Sequence, residues 1–210
     1  MTPGRLEILD FDFDVPEDYY PIPLFGHDDL DSERWARAVI DDVRERADAG
    51  ATGQIIESLA ELRDRLLSRA NPLFTAVVSV RAQFTMTIGC LITVQQLELE
   101  PDDGPDELER ALAESVETMP LGTRSREADF WRLRGDDREV VGMLQRLEYL
   151  EPGQAEGHLE QRTVFGVFPD GASDMLHFTF TVSDLATFGD MRAETQAIVD
   201  TVTFRLGALE

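Results

Sequence analysis

Three groups of residues in this chain have types and spacing that could do chemistry. Asp10-x-Asp12-x-Asp14 follows an apolar start. In phosphoryl transfer such a pair lets one aspartate attack phosphorus while its neighbour serves as acid and base. That chemistry also needs a cation further along, usually lysine, and the chain has no lysine. Three aspartates on the wet face of an edge strand, where charge discourages aggregation, is the stronger reading. The second group, His27-Asp28-Asp29-x-Asp31-x-Glu33, gathers oxygen ligands of the kind calcium or magnesium takes. Its spacing is not that of a calcium-loop helix pair, and acids ahead of a helix also serve as cap and dipole partners. The third group is Trp131, set in ADFWRLR with Arg124, Arg126, Arg132, Arg134 and Arg138 around it. Arginine forks and an indole could hold an acidic peptide or an anion. Against this, surface arginines also neutralise a protein's own acids.

Other chemistries lack their parts. The histidines His27, His158 and His177 share no metal-ligand spacing. The single cysteine, Cys90, allows no internal disulfide and sits mid-strand on an apolar face, as an inert core thiol does. Without lysine there is no Schiff base and no phosphate-loop lysine. No G-x-S-x-G or G-x-G-x-x-G pattern occurs. The sequence therefore assigns no catalytic residue, no metal and no cofactor.

The charge balance is strongly acidic, 42 Asp+Glu against 19 Lys+Arg, a net charge of -23. Such a field repels phosphate backbones and anionic lipid, so nucleic acid and membrane are excluded as expected partners and a basic protein or peptide is favoured. The opening MTPGRLEILDFDFD is acidic and has no apolar core, so no secretory signal is expected there. A cytoplasmic location follows as the expectation.

The elements that must position these residues are legible as periods. Ile8 to Val15 alternates Phe11, Phe13 and Val15 against the aspartates, a strand ended by Pro16. An aromatic passage with Tyr19, Tyr20 and Phe25 follows, kept out of regular structure by Pro21, Pro23 and Gly26, and too apolar for a free linker. Ser32 is placed to cap a helix reaching about Ala49, with Trp35, Ala38, Val39 and Val43 inside. A second helix runs from about Gln54 to Arg69, with Ile55, Ile56, Leu59, Leu62, Leu66 and Leu67 inside, and ends at Asn71-Pro72. Alternation from Phe74 to Val94 is too long for one strand and predicts two, with a turn within Arg81 to Thr85. Pro105 opens a third helix, which Pro120 stops. Strands then cover Arg124–Arg134, Arg138–Tyr149 and Gln161–Phe168. Leu176, Phe178, Phe180 and Val182 alternate with His177, Thr179 and Thr181 in a last strand. Phe188, Met191, Thr195, Ile198, Val199 and Val202 mark a closing helix. Four successive strands with short turns require antiparallel pairing. The fold expected is α+β: an antiparallel sheet of about six to seven strands with helices on both faces, in one domain over 1–210 with a helical insertion at about 32–70.

From Glu117 onward the chain resembles a family. Met119-Pro120-Leu121-Gly122, the strand Leu176-His177-Phe178-Thr179-Phe180-Thr181 and the helix end Ile198-Val199-Asp200-Thr201-Val202-Thr203-Phe204 are similar to actinobacterial domains of PsbP-like (Mog-one/PsbP) fold, including the LpqN-type lipoproteins. The resemblance covers about the last two-fifths of the chain and lies in residues that pack strand against helix. It implies an α/β/α sandwich and a binding or adaptor role with no catalytic residues. Unlike the lipoproteins, this chain shows no signal peptide and no lipidation cysteine.

The functional expectation is a non-enzymatic protein-binding domain, one version being an adaptor or chaperone for a secretion system. Its candidate contact residues are Tyr19, Tyr20 and Phe25 on the aromatic passage and Arg124, Arg126, Trp131, Arg132 and Arg134 on the arginine-rich strand. The rival is a divalent-metal-dependent hydrolase using the Asp10–Asp14 or Asp28–Glu33 carboxylates.

Overall fold

A computed structural model describes residues 6–25, 31–47, 53–69, 75–81, 86–100, 103–119, 122–150 and 157–208. In chain order it has β1 (Leu6–Asp12), β2 (Tyr19–Pro21), α1 (Ser32–Ala47), α2 (Gly53–Leu67), β3 (Thr75–Arg81), β4 (Thr87–Glu98), α3 (Pro105–Glu117), β5 (Thr123–Arg134), β6 (Arg138–Tyr149), β7 (His158–Pro169), β8 (Asp174–Val182), α4 (Met191–Asp200) and β9 (Thr203–Ala208). The fold is α+β, and the strand pairs β1–β9, β2–β3, β3–β4, β5–β6, β6–β7 and β7–β8 are all antiparallel. The chain divides into two compact units, one of Met1–Val15 with Gln96–Glu210 and one of Pro16–Gln95. The stretch expected as a helical insertion lies in the second. Among the described residues no helix is long and apolar enough to cross a membrane.

The first unit is a meander, β5 to β8, with a helix on each face. Residues opposite one another across a ladder share a face. Trp131, Gly142, Phe165 and Phe178 form one such row. Its face meets α4, because Gln196 accepts a hydrogen bond from the Trp131 indole at 3.0 Å. The next row is Arg132, Val141, Gly166 and His177. It meets α3: a Cβ at Gly166 would stand 2.1 Å from Leu108, so only glycine lets the helix close at that point. On the α4 face Phe165, Leu176, Phe178, Phe180 and Val182 are fully buried, as their alternation predicts. Phe11 of β1 and Phe13 just after it reach the same core, edge-on to Phe178 at 6.4 and 5.4 Å. Phe188 is only half-buried, since a 3-10 turn at Leu185–Thr187 precedes the helix and Asp190 caps it by accepting from the Ala193 N–H. The helix does not close the chain. β9 follows and pairs with β1, a strand absent from the sequence reading because its partner is the far end of the chain.

One buried carboxylate joins the separate segments of this unit. Asp174, 4% exposed, accepts the Ile8 N–H on both oxygens, at 3.0 and 3.2 Å. The Gln96 side-chain amide donates to Asp174 and to the Ile8 carbonyl, the latter at 2.9 Å. Backbone bonds continue the seam: Ser173 N–H to Leu6 O at 2.6 Å and Leu99 N–H to Ser173 O at 2.8 Å. Gly171, at φ +78°, makes the turn that presents Asp174.

In the second unit β2, β3 and β4 pair in order, and α1 and α2 pack on a shared apolar cluster. β2 lies within the passage expected to be irregular. It is three residues long, and the pairing is sustained past Pro21 by the Ile22 N–H donating to Ala76 O at 2.8 Å. Asp31, not Ser32, caps α1 by accepting from the Arg34 N–H at 2.7 Å. Ser32 is turned inward and buried. The buried stripe of α1 includes Ala36 and Ile40, whereas Ala38 is exposed; in α2 Leu67 is exposed. Asn71-Pro72, Pro120 and the turn at 82–85 lie outside the described residues.

Replacing Asp174 by Ala leaves the Ile8 N–H buried without an acceptor and takes from the Gln96 amide one of its two, a mechanism that costs about 2–4 kcal/mol. Asp174→Asn keeps one acceptor oxygen and is expected to lose less. Urea denaturation of both variants should show this order, and equal midpoints for Asp174→Ala and wild type would contradict the role given to the carboxylate.

Candidate functional site

The aromatic passage is ordered by bonds to its backbone carbonyls. Trp35 of α1 donates its indole N–H to Pro21 O at 3.2 Å. Arg63 of α2 is 5% exposed, donates Nε–H to Pro23 O at 2.9 Å and reaches the Ser32 hydroxyl at 2.8 Å. Ser32 in turn donates to Asp64. A buried guanidinium is tolerated only when its donors are met, and here the acceptors are the loop and the helix start. Tyr19 points inward, and burial raises its pKa well above the ordinary value. Tyr20 points along the surface and donates its hydroxyl to Asp42 at 2.7 Å. Phe25 stands 62% exposed at the end of the described passage.

These contacts form an open groove of about 570 Å³ in the second unit. Tyr20, Pro21 and Pro23 make one wall, and Trp35, Ala38, Val39 and Asp42 make the other. The helix residues follow one another at one-turn spacing, so a single face of α1 presents them. Among the described residues Asp42 is the only charged side chain in the lining.

The arginine-rich strand has a different character. Strand alternation puts Trp131 on the α4 face and Arg132 and Arg134 on the α3 face, so no single patch combines them. The indole lies over Gly142, where a Cβ would come within 2.2 Å of it, and meets Phe165 edge-on at 5.5 Å. Arg192 covers its other side at 4.2 Å while pairing with Asp129 at 2.6 Å. Arg132 binds Asp106 at 2.7 Å and Glu109 at 2.6 Å, bonds that hold the guanidinium charged and raise its pKa. Arg134 pairs with Asp170 at 2.8 Å, and Arg138 with Asp137 at 2.9 Å. Arg124 is exposed opposite Glu148. Arg126 sits at the β5 register shift between Ser125 and Glu127, and its side chain lies outside the described residues. Arg132 and Arg134 of the strand thus meet the protein's own carboxylates.

The carboxylate groups of the rival reading are also placed. Asp10 is 3.9 Å from Arg205, and Asp12 accepts the Phe13 N–H at 2.9 Å. Asp31 caps α1 and Glu33 pairs with Arg37 one turn on. His27, Asp28 and Asp29 lie outside the described residues. Among the described residues no three His, Cys, Asp or Glu side chains gather as a metal site would. His158 is exposed, Cys90 is buried, and His177 is half-buried on the α3 face, where desolvation lowers its pKa. No family model matches the chain, and none of the curated proteins matches it either.

Two measurements follow from these environments. Arg63→Leu removes the donors to Pro23 and Ser32 and should cost about 2–4 kcal/mol. Limited chymotrypsin digestion should then cut at Tyr20 to Phe25 faster than in wild type; unchanged cleavage would show that Arg63 does not order the passage. His177 has a lowered folded pKa, so between that value and its ordinary 6.5 the unfolded chain binds the extra proton. Its contribution is whole above pH 6.5 and is lost as pH falls below it. His177→Gln should therefore gain on wild type in thermal midpoint from pH 7.5 to pH 5, and a constant difference would remove the assignment.

Proposed function

We propose that this chain is a non-enzymatic binding module that docks another protein through the groove of its second unit. The observation that carries the reading is the groove itself: a surface of Tyr20, Pro21, Pro23 and Ala38 open to solvent over the buried Trp35, while a buried Arg63 fixes the backbone behind it. Apolar surface held in a set shape is what a recognition site needs, because little ordering entropy remains to be lost on binding. The acidic field supports a basic protein or peptide as partner and opposes nucleic acid and anionic membrane. The PsbP-like resemblance supports an adaptor or chaperone role, with a secretion-related partner as one version, by analogy of fold. Phe25 is a peripheral contact in this reading, whereas Tyr19, Trp131, Arg132 and Arg134 serve packing and internal charge pairing.

Affinity purification of the chain from its native host, beside an Ala38→Glu variant that puts a charge into the exposed groove wall, tests the reading. A stoichiometric partner recovered with wild type and lost with folded Ala38→Glu is the expected result. Recovery of the chain alone, or of the same partner with both, would overturn it.

A further inference from the structure

The turn between β5 and β6 and the end of α4 border a second groove, of about 570 Å³, within the first unit. Its floor is Leu133 and Val140, which face one another across the β5–β6 ladder. The helix covers the inner end of this pair and stops short of the outer end: Val140 is 5% exposed and Leu133 42%. Gly135 and Asp136 of the turn form one wall, and Val199 and Asp200 of α4 form the other.

The charges around the groove divide into met and unmet. Arg134 is met by Asp170 at 2.8 Å and Glu139 at 3.7 Å. Arg138 is met by Asp137 at 2.9 Å, lies over the Phe204 ring at 4.8 Å and donates to the Val202 carbonyl, so the end of α4 already has its cation. Asp136 and Asp200 are both exposed, and among the described residues neither has a cationic partner; Asp200 accepts the Gln196 amide at 2.7 Å. Two carboxylates do not make a metal site, and among the described residues no three ligating side chains gather. A wholly apolar guest would strip water from both carboxylates without replacing it. An anionic guest would meet them with like charge.

We infer that this groove receives a short segment of a partner protein in which an exposed arginine or lysine stands beside an aliphatic residue. The aliphatic side chain and the stem of the cation cover Leu133, and the charged head reaches Asp136 and Asp200. The site lies wholly in the first unit and is distinct from the groove of Tyr20 and Pro21 in the second.

The probe is a set of acetylated, amidated heptapeptides, Ser-Gly-Leu-X-Leu-Gly-Ser, with arginine, lysine, glutamine or glutamate at X, titrated to low millimolar concentration into the full chain labelled with nitrogen-15. The arginine and lysine peptides should shift the amides of Leu133 to Val140, Val199 and Asp200, and should bind about fivefold more tightly than the glutamine peptide, with glutamate weakest. Asp136→Asn combined with Asp200→Asn changes two exposed side chains, so the fold is retained and the preference for a cation should vanish. Glu57→Gln combined with Glu61→Gln removes the same two charges from exposed positions on α2 and should leave binding unchanged. Absence of shifts with every peptide, shifts confined to other residues, equal binding of the glutamine peptide, or equal loss in both double variants would each overturn the inference.

Discussion

The first unit depends on one buried carboxylate. Its chain leaves at Val15 and resumes at Gln96, so its first strand must be tied in across a long excursion. Loop closure over such a length is entropically costly, though the cost grows slowly. Asp174 meets it with directional bonds: Ile8 from the first segment and Gln96 from the second converge on the same side chain at the start of β8. The burial of a charge is offset because amide donors surround it. Fixing Ile8 fixes the register of β1. That register sends Phe11 and Phe13 onto Phe178 and offers the edge that β9 pairs with after α4. The aromatic core and the return of the C-terminal segment are thus consequences of where one aspartate holds one N–H.

The arginine-rich strand shows how a pattern that looks like a site can be an edge. β5 is bonded to β6 along its length and carries alternating charge. Arg132 spans to Asp106 and Glu109 of α3, and Arg192 of α4 covers Trp131 and takes Asp129. Each helix is therefore pinned to the strand on its own face by ion pairs as well as by apolar contact. Individually such surface pairs contribute little. Their consistent placement gives the strand polar sides, which discourages pairing with another chain.

What the residues disclosed and what they hid have physical causes. The alternation of Leu176 to Val182, the proline at the start of α3 and the hairpin between β5 and β6 are local patterns, and each reappears in the structure. β2 was hidden because Pro21 reads as a strand breaker, while its pairing is imposed by β3. β9 was hidden because Thr203 to Ala208 has weak alternation and its partner lies at the other end of the sequence. In the groove, Tyr20 was visible as an aromatic in a proline passage. Trp35 and Val39 read as core and are buried, and the sign that the helix face beside them meets solvent is Ala38 and Asp42 interrupting the stripe. Arg63 was invisible, since an arginine on a helix is normally an exposed one. Trp131 and its neighbouring arginines were grouped by proximity in sequence, which strand alternation undoes.

The order of the groove and the burial of Arg63 are two sides of one arrangement. Pro21 and Pro23 limit the passage's conformations before folding, so less backbone entropy remains to be lost. They also lack N–H donors, which leaves their carbonyls as the groups the rest of the unit can hold. Trp35 takes one carbonyl and Arg63 the other. With those bonds directed inward, the proline rings are turned toward the groove, and Tyr20 packs its ring on the edge of the core while its hydroxyl reaches Asp42. A loop secured through its backbone in this way can present apolar side chains to solvent without collapsing. That separates what stabilises the loop from what it offers to a partner.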